Sequence, residues 1–154
     1  MLIGGWAVSG INQLDSGVPF SVRTNIDYAG IGPGSGNQFS IVSGNPNGCS
    51  TPFEGAGATV YCKSAFTAPA QGTFATGDTR NMFSNPGFWQ WNFAAYKSFP
   101  LKEALRMQFR AEAFNLINHP NWGTVNSNPL SSTFMMVTSK SGNRNLQFEL
   151  RLAF

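Results

Sequence analysis

Charged residues are scarce: Asp, Glu, Lys and Arg make up 11% of the 154 residues, against about a quarter in ordinary soluble domains. A surface laced with salt bridges is thereby excluded. Long apolar runs are also missing, and none approaches the roughly eighteen residues that a membrane-crossing helix needs. The net charge is only +3, and the basic residues are scattered from Arg23 to Arg151. They form no stripe, which argues against nucleic acid as a partner. There is one histidine, His119, far along the chain from the two cysteines, Cys49 and Cys62, so no metal site and no cofactor are expected. The start of the chain, Met-Leu-Ile-Gly-Gly-Trp-Ala-Val-Ser-Gly, lacks a basic leader and an evident cleavage site. For an exported protein this implies that the signal has been removed or belongs to a longer parent chain.

What the chain does have is glycine and aromatic rings. It carries 17 Gly, 14 Phe and 4 Trp, yet its mean hydropathy is slightly polar. The polarity comes from Asn, Ser, Thr, Gln and Gly. That balance suits turn-rich β structure, and residues 1–154 are expected to form one all-β domain. Cys49 and Cys62 lie in a stretch crowded with Gly, Pro, Asn and Ser. A disulfide between them closes a short loop and stabilises it by roughly 3 kcal/mol in the chain-entropy picture. Free thiols are the alternative, and the exported character of the rest favours the bond.

The last ten residues carry the strongest pattern. Leu146, Phe148, Leu150, Leu152 and Phe154 occupy every second position, and Gln147, Glu149 and Arg151 fill most of the gaps. Successive side chains of a strand point to opposite faces, so the segment has one apolar face and one largely charged face. It is long enough to cross a bilayer as a tilted strand. Apolar toward lipid, polar toward a lumen and aromatic at the interface is the pattern of an outer-membrane barrel strand. An amphipathic strand of a soluble sandwich is the plainer alternative.

The same period recurs upstream. Residues 88–99 place Trp89, Trp91 and Phe93 on one face, opposite Gln90 and Asn92. Residues 104–117 place Leu105, Met107 and Phe109 opposite Arg106, Gln108, Arg110 and Glu112. Helix formers are common in that last segment, but strict alternation over nine residues favours a strand. Residues 4–14 and 18–25, joined by Asp15-Ser16-Gly17, read as a hairpin, with Pro19 near a strand start where a missing donor is tolerated. The expectation is an antiparallel meander of about five long strands: 4–14, 18–25, 88–99, 104–117 and 144–154. Two long loops, 26–86 and 118–143, interrupt it. A short strand or helical turn is expected near Lys63–Phe66, and an extended piece near Phe134–Thr138. If the last strand runs toward the periplasm, both short turns fall on that side and both long loops fall outside, as in outer-membrane barrels.

These residues resemble a known family. Gly5-Trp-Ala-Val-Ser-Gly-Ile11 followed by Ser16-Gly-Val-Pro-Phe20 is similar to late barrel strands of TonB-dependent outer-membrane receptors, in particular those with a carboxypeptidase-regulatory-like N-terminal domain. Trp91-Asn-Phe-Ala-Ala-Tyr-Lys-Ser-Phe99 resembles their penultimate-hairpin strand. The stretch from Phe109 to Trp122 resembles the segment carrying their Asn-Leu-Phe-Asn-like motif, with Ile117 in place of the aromatic, and Phe154 matches their C-terminal assembly signal. The resemblance implies a Gram-negative outer-membrane or extracellular location and, for the parent family, nutrient uptake. Such receptors have a plug and about 22 strands, so an incomplete wall of about five strands cannot transport alone. The partners implied are the rest of a receptor barrel, or further copies of the chain joined through open strand edges, together with outer-membrane lipid.

No nucleophile–base pair and no carboxylate pair emerges, so an enzyme is not expected. Gly30–Gly36 lacks the Lys-Ser/Thr of a phosphate loop, and His119, between Asn118 and Pro120, reads as a turn residue. The residues expected to face lipid or a partner are Trp89, Trp91, Phe93, Leu105, Met107, Phe109, Leu146, Phe148, Leu150, Leu152 and Phe154. Those expected on the lumen or polar face are Arg106, Gln108, Arg110, Glu112, Glu149 and Arg151. Two further functional classes remain open: a self-assembling subunit of an extracellular oligomer or filament built by strand addition, and a monomeric sandwich binding sugar through Trp89, Trp91, Tyr96 or Trp122.

Overall fold

The computed structural model describes residues 4–32, 38–51, 57–75 and 80–154. Among them the strands are, in chain order, β1 (Trp6–Asp15), β2 (Pro19–Phe20), β3 (Ile41–Val42), β4 (Ala58–Thr59), β5 (Phe66–Thr67), β6 (Phe83–Ser84), β7 (Phe88–Pro100), β8 (Arg106–Phe114), β9 (Asn121–Trp122), β10 (Met136–Val137), β11 (Lys140–Ser141) and β12 (Asn145–Ala153). The only helical turn among the described residues is a 3₁₀ turn at Lys63–Ala65. The residues fall into two compact units. One comprises Met1–Asp15, Phe88–Asn121 and Ser141–Phe154; the other comprises Ser16–Gly87 and Trp122–Lys140.

The first unit is a wall of four long antiparallel strands in the order β1-β7-β8-β12. The sheet does not close. β1 pairs with β7 from Trp6↔Lys97 to Asp15↔Phe88. β7 pairs with β8 from Phe93↔Ala113 to Pro100↔Arg106, and β8 with β12 from Phe114↔Asn145 to Arg106↔Ala153. β7 and β8 are joined by a tight turn in which Leu101 N–H donates to Leu105 C=O at 2.9 Å. Because neighbours are antiparallel, β1 and β8 run the same way. The long connections that follow them therefore leave the sheet at one end, and the Leu101–Leu105 turn lies at the other.

The segment 18–25 is not the hairpin partner of β1. Only Pro19–Phe20 is strand, and it pairs with Phe83–Ser84. The cause is local. Gly17 lies so close to Asn85 that a Cβ would sit 1.5 Å from the Asn85 carbonyl oxygen, and Asn85 N–H donates to Val18 C=O at 3.0 Å. This contact turns the chain away from the sheet. Beyond it, Val22 and Thr24 point inward and are buried. Thr24 N–H donates to Gln38 C=O and Ser40 N–H to Val22 C=O.

The second unit is built from what the sequence presents as loops. Val22, Phe83, Val125, Phe134, Met135 and Val137 form its buried core, with Phe20, Val42, Val60, Tyr61, Phe66 and Trp122 packed against it. Its rings meet edge-on, with Tyr61 and Phe83 centroids 4.9 Å apart and Phe66 and Phe134 5.4 Å apart, a geometry that suits their quadrupoles. β4 pairs with β10, which ties segment 26–86 to segment 118–143. Cys49 and Cys62 are joined by a disulfide, their Cα atoms 4.9 Å apart.

Replacing Gly17 by Ala forces a side-chain atom into backbone, which does not yield as a flexible side chain would. The substitution is expected to cost about 3 kcal/mol or more, the upper end of ordinary overpacking. Amide hydrogen exchange checks this: protection should fall at Val22, Val60 and Val137 and stay unchanged along β8 and β12.

Candidate functional site: a two-faced wall

Residues directly opposite one another in adjacent strands share a face. One face of the wall is therefore read off the register as rows. Leu146, Ala113, Phe93 and Gly10 form one row, and Phe148, Ala111, Ala95 and Val8 the next. Leu150, Phe109, Lys97 and Trp6 follow, then Leu152, Met107 and Phe99. Toward the other end Trp91 opposes Asn12, and Trp89 opposes Leu14. Trp89, Trp91, Phe93, Met107, Phe109, Leu146, Phe148, Leu150 and Leu152 are thus brought together on a single face. Leu105 lies in the turn before β8, and Phe154 just beyond β12 is 97% exposed. Every residue of β1 and β12 is exposed, so none of the described residues covers this face at its edges.

The opposite face is polar. Its rows are Ser98, Gln108 and Arg151; Tyr96, Arg110 and Glu149; and Ala94, Glu112 and Gln147. Arg106 sits with Pro100 and Ala153 at the turn end. Arg110 is the centre of the charge network. It pairs with Glu112 along its own strand, approaches Glu149 at 3.8 Å and lies 5.1 Å from the Tyr96 ring centroid.

Two polar residues on the apolar face were not singled out from the sequence, and both are accommodated. Lys97 is 2% exposed. Its Nζ donates to the Gly4 carbonyl and lies 4.9 Å from the Trp6 ring and 5.4 Å from the Phe99 ring. Aromatic faces and a carbonyl thus replace water around a buried ammonium. Asn12 accepts a hydrogen bond from Trp89 Nε1 at 2.9 Å. The alternation Phe93, Ala95, Lys97, Phe99 is the sequence signal that places Lys97 here.

At the end where the long connections leave, asparagines hold the strands. Asn115 is 1% exposed and has φ 51°, a left-handed conformation that Asn adopts more readily than most residues. Its Nδ2 donates to the carbonyls of His119 and Gly142, and its Oδ1 accepts from His119 N–H at 3.0 Å. Its own N–H donates to Asn92 Oδ1 on β7 at 3.0 Å. Asn121 Oδ1 accepts from Trp89 N–H at 2.8 Å, and Asn118 Oδ1 from Arg144 N–H at 3.2 Å. His119, a turn residue, lies against Trp89 with ring centroids 5.2 Å apart and the ring planes tilted by 54°.

The glycine-rich segment folds around an acid. Asp27 accepts from the backbone N–H groups of Gly30, Ile31 and Gly32; residues 33–36 of Gly30–Gly36 lie outside the described residues. Among the described residues no group of three or more His, Cys, Asp or Glu is placed to hold a metal ion. No helix among them is long and apolar enough to cross a membrane.

An open antiparallel wall with a bare apolar face, a charged face and a short turn at one end is the architecture of a membrane β-barrel segment. Sequence comparison agrees: the model of an outer membrane beta barrel domain matches residues 1–147. The chain belongs to that family, and its place is the outer membrane. Neither a curated protein nor a solved structure matches it.

Removing the Asn115 side chain leaves two buried carbonyls and one N–H short of a partner, each worth about 1 kcal/mol or more. Asn115→Ala is expected to lower wall stability by about 3 kcal/mol. Denaturant titration followed by tryptophan fluorescence, which reports Trp89 and Trp91, measures the shift in midpoint.

Proposed function

We propose that the chain is a non-catalytic wall segment of a TonB-dependent receptor barrel, with its apolar face against lipid and its polar face toward the lumen. The observation that carries this is the register: nine of the eleven residues read as lipid- or partner-facing from the sequence fall on one continuous surface, with Arg106, Arg110, Glu112, Glu149 and Arg151 behind it. Dimensions support it. Trp89 to Phe99 is ten residue steps along β7, or about 33 Å of strand. At a tilt near 40° this covers roughly the 25 Å apolar band of such barrels, with aromatic residues at both ends. In this orientation the Leu101–Leu105 turn is periplasmic, and both long connections leave on the outer side. Among the described residues β1 and β12 each present an unpaired edge, which further strands of the parent barrel extend. Uptake then belongs to the assembled receptor.

The same free edges support a second reading, assembly of the chain with its own copies by strand addition into an oligomer or filament. Sedimentation of the 154-residue chain in detergent-free buffer separates the two. Polymers with regular repeats favour the second reading, whereas a species that stays dispersed only with detergent micelles or lipid favours the first.

Leu150 lies near the middle of β12 on the apolar face, and Glu149 beside it lies on the polar one. Leu150→Lys is expected to destabilise the lipid-inserted form by about 2–4 kcal/mol, and Glu149→Lys by much less. Urea titration of vesicle-inserted protein, read by fluorescence, gives both values. Equal effects at the two positions would contradict the assignment of faces.

A further inference from the structure

The polar face is not evenly compensated. Arg110 has a carboxylate on its own strand and another across on β12. Toward the Leu101–Leu105 turn the acids disappear. Arg106 lies opposite Ala153, and Arg151 opposite Gln108. The two arginines are therefore diagonal neighbours on adjacent strands, roughly 7–8 Å apart at the backbone. Among the described residues the ion pairs of this face are those of Arg110, and neither Arg106 nor Arg151 has one. Together with Ser98, Gln108, Met107 and Ala153 they line a depression of about 250 Å³. Glu103, in the adjoining turn, does not line it.

Two like charges placed side by side on a sheet repel one another. An anion between them reverses the sign of that interaction. Each guanidinium offers a planar fork of donors, Gln108 adds an amide and Ser98 a hydroxyl. A single carboxylate engages one such fork in bidentate fashion. A tetrahedral dianion presents separate oxygen edges to two forks at once.

We propose that Arg106 and Arg151, with Gln108 and Ser98, form a binding site for a phosphate-class oxyanion at the turn end of the polar face. The site rests on the wall reading above, which turns this face away from lipid.

The test uses the 154-residue chain in uncharged alkyl-maltoside micelles, titrated with inorganic phosphate while the ¹⁵N side-chain signals of Arg106, Arg110 and Arg151 are followed. Arg106 and Arg151 are expected to shift together with one saturable midpoint while Arg110 stays in place. Arg151→Gln and Arg106→Gln should each raise that midpoint about tenfold or more, the loss of one charge-assisted contact. A parallel series with phosphatidic acid in the micelles distinguishes a lipid headgroup from free phosphate as the source; saturation by either supports the site. Non-saturating shifts that sodium chloride reproduces at equal ionic strength would overturn it, as would tighter binding of acetate than of phosphate. The nuclear Overhauser contact between Arg106 and Ala153 separates the two levels of inference. If it is present without phosphate binding, only the site fails; if it is absent, the wall and the site fail together.

Discussion

The constraint on which this molecule depends is the coupling of side-chain alternation to strand register. Side chains repeat every second residue, so a slip of one position carries a whole set of residues to the other face. Here the ladder from Phe114↔Asn145 to Arg106↔Ala153 sets Phe148 beside Ala111 and Leu150 beside Phe109. A slip of one would put Glu149 and Arg151 beside Met107, Phe109 and Ala111, and the leucines of β12 beside Arg110 and Glu112. Register is thus held by the mismatch such a slip would create, as well as by the hydrogen bonds themselves.

The two units handle apolar surface in opposite ways. The wall keeps little inside: its buried apolar residues include Ala94 and Ala113, while Leu146, Phe148, Leu150 and Leu152 are more than half exposed. Such a sheet has little buried apolar surface of its own to stabilise it. The loop unit buries Val22, Met135 and Val137 completely and packs rings around Phe83. One chain therefore combines a surface suited to lipid with a small core of the ordinary water-excluding kind.

The wall was largely legible in the sequence because its alternation is local and strict. Trp89, Trp91 and Phe93, or Leu146 to Leu152, declare their face within a few residues. The hairpin expected over 4–25 shows where that logic stops. Val-Pro-Phe-Ser-Val alternates as well as a wall strand does, yet the contact of Gly17 with Asn85, 68 positions further on, sends it elsewhere. The loop core was hidden for a related reason. Val22 and Val125 are single apolar residues among polar neighbours, Phe83 and the run Phe134–Val137 lie far from them along the chain, and only non-local pairing brings them together. Lys97 could have been placed by parity. Its accommodation between Trp6 and Phe99 could not, because it needs the neighbouring strand.

The composition of the loop core bears on the order of events during synthesis. Four of its six buried residues, Val125, Phe134, Met135 and Val137, come from the later segment, and Val22 and Phe83 from the earlier one. The Cys49–Cys62 bridge lies wholly within the earlier part. That crosslink can close without the later segment, once the chain is in an oxidising compartment. The core cannot: it lacks most of its buried residues until the stretch around Met135, about fifty residues beyond Gly87, has been made, and β7 and β8 precede that stretch.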